Sequence, residues 1–262
     1  MPEGTEALWK LKDLEGIEGR KLNPERIRVL ESLLTASYGP EISLILLQRL
    51  RSKKNIVLHL ILEQGTEKVD MIAKLFIENS FEVEKEVLSL GAKESLPVPS
   101  LWAAQDDVIL MEFLNGSPLV DAINETFDSK LIEQLADWYH TFHHKTRHIK
   151  GDPQLRNFIL TKGEIYGFDF EEYRRGHWME DIGGISASLL DTRPVFDERK
   201  VKLAWLLLEE YLTLSGRERT KAMDVRFTQV IANTLEQTAK WRGDDEILAH
   251  SRRVRQYGLP IG

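Results

Sequence analysis

The sequence predicts an α+β protein: a small antiparallel sheet early in the chain, then a mainly helical remainder. Three apolar runs, Ile42 to Leu50, Ile56 to Leu62 and Val69 to Ile77, are rich in branched residues and separated by short polar turns. That pattern is an antiparallel meander. After about residue 114 the composition shifts to long segments with helical spacing, which places a domain boundary there, between 1–114 and 115–262. Within the second part, Phe158-Ile159-Leu160, a turn at Lys162-Gly163-Glu164 and a further apolar run ending at Asp169 read as a β-hairpin.

Composition sets outer bounds. With 262 residues the chain is long enough for one large or two modest domains with ample core. Its 42% hydrophobic and 29% charged residues are ordinary for a soluble globular protein. The absence of cysteine excludes disulfides and thiolate metal sites. The N-terminal MPEGTEALWKLKDLEG is charged and lacks the apolar core of a signal peptide. No run approaches the roughly 18 apolar residues of a membrane span. These features lead to an expected cytoplasmic location without membrane attachment. A net charge of −7 argues against broad nucleic-acid binding and suits a cationic or neutral small-molecule partner.

Before the sheet, Ile27, Leu30, Leu33 and Leu34 share one face of a predicted helix. Asn23 is its N-cap, Pro24 its first residue and Gly39 its stop. The third predicted strand carries one charge, Lys74, between Ile72-Ala73 and Leu75-Phe76. A lysine inside an apolar strand is costly unless it has a partner. The following helix offers three candidate partners, Glu82, Glu84 and Glu86. The first turn, RSKKN, has no glycine, and its Ser52, Lys53 and Lys54 read as a solvated charged turn. Val108 to Phe113 is a further strand, closed by Leu114-Asn115-Gly116-Ser117-Pro118.

In the second part, Leu131, Ile132, Leu135, Trp138, Tyr139 and Phe142 lie at helical spacing behind an N-cap at Asp128 or Ser129. His140, His144 and His148, four apart, share a face of this helix, a spacing that can bind Zn²⁺. No HExxH motif accompanies them, and packing is the preferred reading. Residues 201–214 and 228–243 are predicted helices, and the basic tail SRRVRQYGLPIG reads as a solvated helix end.

The stretch Lys150 to Glu171, KGDPQLRNFILTKGEIYGFDFE, concentrates the chemistry. If the hairpin forms, Asn157 stands just before its first strand and Asp169 just after its second. Asp152, Asn157 and Asp169 then converge, and oxygen ligands of this kind suit a hard cation such as Mg²⁺.

This stretch resembles the aminoglycoside-phosphotransferase-like branch of the protein-kinase-like superfamily, whose signature is His-Gly-Asp, four residues, Asn, then a hairpin ending in Ile-Asp-Phe-Glu or similar. Gly151-Asp152, Asn157 and Phe168-Asp169-Phe170-Glu171 match it; the His is Lys150 here. In the family that His packs under the loop and bonds backbone. The resemblance implies a two-lobed protein-kinase-like fold with ATP in the cleft. It implies Asp152 as the base at an acceptor hydroxyl, Asn157 and Asp169 on Mg²⁺, and Lys74, paired with Glu84, on the α/β-phosphates. It also implies backbone near Glu112 and Phe113 at the adenine edge, and a bracing role for Asp181. Arg156 is a candidate for positive charge near the γ-phosphate, because the position two after Asp152 is Gln154.

Only eleven residues separate Asp169 from Asp181, too few for the activation segment of a conventional protein kinase, and no Ala-Pro-Glu anchor is present. The expected activity is therefore phosphoryl transfer from ATP to a small-molecule alcohol. A small atypical protein kinase or ATPase acting on a protein substrate, and a nucleotide-binding scaffold, are the alternatives. Glu171, Glu172, Glu180 and Asp191 hint at a cationic acceptor.

Overall fold

The structure, a computed structural model, describes residues 6–11, 14–15, 19–52, 54–77 and 80–260. Lys53 of the first turn lies outside the described residues. The chain divides into two compact units, residues 1–114 and 115–262.

Unit 1 is built on a five-stranded antiparallel sheet of β1 (Ser43–Leu50), β2 (Ile56–Gln64), β3 (Glu67–Leu75), β4 (Leu101–Gln105) and β5 (Val108–Glu112), in the order β1-β2-β3-β5-β4. The meander of β1 to β3 follows the three apolar runs. On β2 the burial alternates strictly, with Ile56, Leu58, Leu60 and Leu62 inside, as a sheet with one covered face requires. Helix α1 (Glu25–Tyr38) buries Ile27, Leu30 and Leu34 against the same core. Asn23 Oδ1 accepts the Glu25 N–H at 3.0 Å, and Gly39, at φ 82°, closes the helix.

Sequence reasoning did not anticipate β4. It pairs with β5 through the two-residue turn Asp106-Asp107, both at positive φ, the backbone of a type I′ hairpin. Asp107 also takes Arg26 of α1 at 2.8 Å, so its side chain helps hold a conformation that asparagine or glycine more often supplies. The glycine-free turn after β1 is organised by Asn55, fully buried, whose Oδ1 accepts the Ile77 N–H at 2.8 Å. Helix α2 (Phe81–Glu94) ends at Ser95 in the left-handed region.

Unit 2 opens with β6 (Ser117–Pro118) and α3 (Leu119–Thr126), then α4 (Ser129–Thr146), N-capped by Asp128, whose Oδ1 accepts the Lys130 N–H. The predicted hairpin is β7 (Phe158–Thr161) and β8 (Glu164–Gly167), with β6 added at its edge. Lys162 (φ 51°) and Gly163 (φ 83°) form its two-residue turn. Helices α5 (Met179–Leu190), α6 (Glu198–Leu214), α7 (Lys221–Arg242) and α8 (Asp245–Tyr257) complete the unit. α7 begins earlier than its apolar periodicity indicates, because Thr220 caps it through the Met223 N–H. Among the described residues no helix is long and apolar enough to cross a membrane.

An aromatic stack joins α4 to the hairpin. Trp138 and Phe142 lie parallel at 5.0 Å, Phe158 meets Trp138 edge-on at 4.9 Å, and Phe170 stacks on Phe142 at 5.8 Å. Gly167 is where the hairpin backbone touches this stack: a Cβ there would lie 2.3 Å from Trp138 Cζ2. The Trp138 ring is rigid and buried, so Gly167→Ala is expected to cost about 1–3 kcal/mol of stability, read from urea unfolding.

Asp191 closes α5 with its carboxylate buried: Oδ2 lies 3.3 Å from Arg242, and Oδ1 has no hydrogen-bond partner. Burial pushes its pKa up from 3.8 to about 6, although Arg242, Arg156 and Lys200 pull it down. The folded state therefore holds this proton more tightly than the unfolded chain. The resulting stability is complete below about pH 4 and is lost as pH rises through 6. Asp191→Asn does not titrate, so its stability relative to the parent should rise between pH 4 and 7 by on the order of 2 kcal/mol, measured by urea unfolding across that range.

Candidate functional site

In unit 1 the sheet places Lys74 on β3 opposite Val57 on one side and Ile109 on the other. Its ammonium is buried and lies 2.5 Å from Glu84 Oε2 on α2. Glu84 is itself buried, 1% exposed, whereas Glu82 is exposed and pairs with Lys85 at 3.2 Å, and Glu86 is exposed. Helical phase decides between the three: Glu84 shares the inward face with Phe81, Val87 and Leu88. Two charged groups this deep in a core are tolerated only where they meet partners, and here each meets the other.

Glu112 ends β5 opposite Met71. Its N–H donates to the Ser100 carbonyl at 3.0 Å, and its Oε2 accepts the Ser100 hydroxyl at 2.9 Å. Phe113 stacks on His59 at 4.0 Å with 12° between the rings. This end of the strand is held from both sides.

In unit 2 the loop Lys150 to Asn157 is suspended between α4, α5 and the hairpin. Ile149 pairs with Arg174 through two backbone hydrogen bonds, 2.9 and 3.2 Å. Gly151, at φ 85°, passes so close to the Glu172 carbonyl that a Cβ would lie 2.0 Å from its oxygen; only glycine fits there. Asp181, in the first turn of α5 and fully buried, accepts the Lys150 N–H at 2.6 Å on Oδ2 and the Gly151 N–H at 3.0 Å on Oδ1. His143 Nε2 stands 2.9 Å from Oδ2, and His143 Nδ1 stands 2.9 Å from the Tyr211 hydroxyl. A carboxylate only accepts, so Nε2 donates to Asp181. Farther along, the Leu155 N–H donates to Ser188 Oγ at 3.0 Å, and Pro153 fills the space a side chain at Gly184 would need.

Asp152 and Asn157 are brought together: Asn157 Nδ2 donates to Asp152 Oδ2 at 2.9 Å. The Asn157 side chain is buried, and the Asn157 main-chain carbonyl accepts the Phe168 N–H at 3.0 Å, so the hairpin returns the chain to this point. Asp169 follows at φ 61°, a left-handed backbone that a non-glycine residue adopts at a cost of about 1 kcal/mol or more. Lys150, the residue in the family's His position, is fully buried, with Nζ 3.2 Å from the Asp152 carbonyl and 2.7 Å from the Asp169 carbonyl. Near this loop, burial raises the Tyr139 phenol well above its usual range, with the charges of Asp181 and Asp152 adding to the effect.

Arg156 is exposed, and its charge acts on Asp191. His140, His144 and His148 form no group of three metal ligands among the described residues. His140 and His144 stack on each other, and His148 bonds the Thr146 carbonyl at 2.8 Å and stacks on Tyr173. Sequence reading missed Tyr211 and Ser188. Neither carries a local motif: Ser188 reaches the loop from α5, and Tyr211 reaches His143 from α6.

The residues here include the type of donor that a hard cation takes. With Asn157 Nδ2 committed to Asp152, its Oδ1 remains as an oxygen donor, and Asp169 adds a carboxylate. Hard ions such as Mg²⁺ take oxygen ligands of this type.

Replacing Asp181 by Ala leaves two backbone N–H groups and His143 without their acceptor. The expected loss is about 2–5 kcal/mol, and the amides of Lys150 and Gly151 should lose hydrogen-exchange protection before the rest of the unit.

No protein-family model matches the sequence, and no curated protein matches it at sequence level. Solved structures do match the fold. An amicoumacin kinase in complex with AMP-PNP, Ca²⁺ and Ami is 12% identical with a TM-score of 0.61, covering 90% of this chain and 96% of that one. A Plasmodium vivax ethanolamine kinase is 10% identical with a TM-score of 0.58, covering 87% and 85%. The gentamicin complex of APH(2″)-IIa is 13% identical with a TM-score of 0.56, covering 90% and 97%. At these identities the likeness is one of architecture, and by that architecture the chain has a protein-kinase-like fold of the kind found in these structures.

Proposed function

We propose that this chain is an ATP- and Mg²⁺-dependent phosphotransferase that moves the γ-phosphate to an alcohol group of a small molecule. The observation that carries the reading is the Asp152–Asn157 hydrogen bond at 2.9 Å, in a loop whose main chain is fixed by Asp181. The likeness to kinases bound to AMP-PNP and to small molecules supports it.

In this reading Asp152 accepts the proton of the acceptor hydroxyl and aims its lone pair at the phosphorus. Asn157 fixes the rotamer of Asp152 through Nδ2 and offers Oδ1, with the Asp169 carboxylate, to Mg²⁺. The metal, when bound, neutralises charge on the transferred phosphoryl oxygens. Lys74, oriented by Glu84, binds the α/β-phosphates. The adenine edge meets main chain at Glu112 and Phe113, from the Glu112 carbonyl onward, because the Glu112 N–H is committed to Ser100. Most of the rate then comes from positioning and charge compensation rather than covalent chemistry. Arg156 either reaches the phosphoryl group or serves the Asp191 end of α5; Arg156→Gln separates these by lowering turnover or leaving it unchanged. The eleven residues between Asp169 and Asp181 favour a small acceptor over a peptide.

The test is transfer of γ-labelled phosphate from Mg·ATP in undialysed and dialysed cell extract, with Asp152→Ala as control. Label is expected in the small-molecule fraction and absent after dialysis. Asp152→Ala should reduce transfer by about 10²–10⁴-fold while retaining Mg·ATP binding, and Asp169→Ala should weaken both. Label on protein alone would favour an atypical protein kinase. Unchanged turnover in Asp152→Ala would overturn the mechanism.

A further inference from the structure

Lys150 is anchored at both ends. Its N–H donates to Asp181 Oδ2 at 2.6 Å, and its ammonium reaches the main-chain carbonyls of Asp152 and Asp169 at 3.2 and 2.7 Å. The side chain is fully buried, with Nζ 5.9 Å from the centre of the Phe158 ring and 5.3 Å from that of Phe170. A buried ammonium is tolerated where polar partners and ring faces replace its water, and the two carbonyls and two rings are among the groups that do so here. Three N–H donors on one head group allow it to bond both carbonyls together. One carbonyl belongs to the loop before the hairpin and the other to the segment after it. The second is that of Asp169, whose left-handed backbone needs outside support to persist.

We infer that Lys150 is a positioning residue that clamps the Asp152 loop to the Asp169 segment through their main-chain carbonyls, acting on phosphoryl transfer without touching substrate. The inference rests on the function proposed above. A purely packing role makes a different prediction. Methionine has a similar length, is apolar and fills the same space between Phe158 and Phe170, so packing survives Lys150→Met whereas clamping does not. Histidine restores a donor.

The experiment combines hydrogen–deuterium exchange with steady-state kinetics on the full chain. In Lys150→Met, amides of residues 150–157 and 168–174 should exchange faster together by about tenfold or more, while α6 and α7 stay unchanged. In the same variant kcat should fall by about tenfold or more, with the acceptor KM within about threefold. Lys150→His should recover part of both. In an Asp152→Ala background, Lys150→Met should produce little additional loss of kcat, because both act through one loop. Unchanged exchange in either segment, or kcat within about twofold of the parent, would overturn the clamp. If Lys150→Met fails to fold, Lys150→Gln, which keeps a donor without the charge, must show the same paired increase in exchange at smaller size, and its absence would equally overturn the inference. Exchange is read without turnover, so a parent protein that transfers no phosphate, with the paired exchange effect intact, would count against the proposed function and not against the clamp.

Discussion

The buried carboxylate of Asp181 is the constraint on which the rest of unit 2 depends. It sits in the first turn of α5, where a helix favours negative charge, and uses it to accept two consecutive backbone N–H groups from another part of the chain. Consecutive amides can point at one acceptor only in a tightly turned backbone, and Gly151 at φ 85° supplies the turn. From this anchor the positions of Asp152 and Asn157 follow within a few bonds. His143 and Tyr211 extend the network to α4 and α6, so three helices fix one loop. A network of this kind is strong because every member is satisfied; in the low dielectric of the core a single missing partner is expensive.

Two buried lysines show how differently a core can hold a cation. Lys74 faces the carboxylate Glu84, and the pair is close to neutral as seen from its surroundings. Replacing such a pair by well-packed apolar residues is often harmless to stability, whereas removing one partner alone leaves an uncompensated buried charge. Lys150 bonds main-chain carbonyls and lies over ring faces. It holds backbone to backbone, in the place where the resembling family carries a histidine.

Much of the fold was legible in the sequence because its signals are local. Alternation on β2, the Asp128 cap of α4 and the Lys162-Gly163 turn each depend on residues within a few positions of one another, and each element formed where they indicate. β4 escaped notice because its turn, Asp106-Asp107, lacks the glycine or asparagine that usually marks a two-residue hairpin, and its stability draws on Arg26 of α1. The start of α7 was hidden for a related reason: its first turns carry little apolar periodicity, and a side-chain cap sets the boundary.

By itself the sequence determined which residue types were available and their spacing: Gly151-Asp152, Asn157 and Asp169 around a hairpin, and a lysine with three candidate glutamates nearby. Tertiary structure alone decided which of them meet. It chose Glu84 over Glu82 and Glu86 through the inward face of α2, turned Lys150 from a missing histidine into a buried support, and placed Arg156 within the field of Asp191. The physical reason is range. Backbone propensity and turn chemistry act over a few residues, whereas burial and hydrogen bonding across helices depend on where distant segments come to rest.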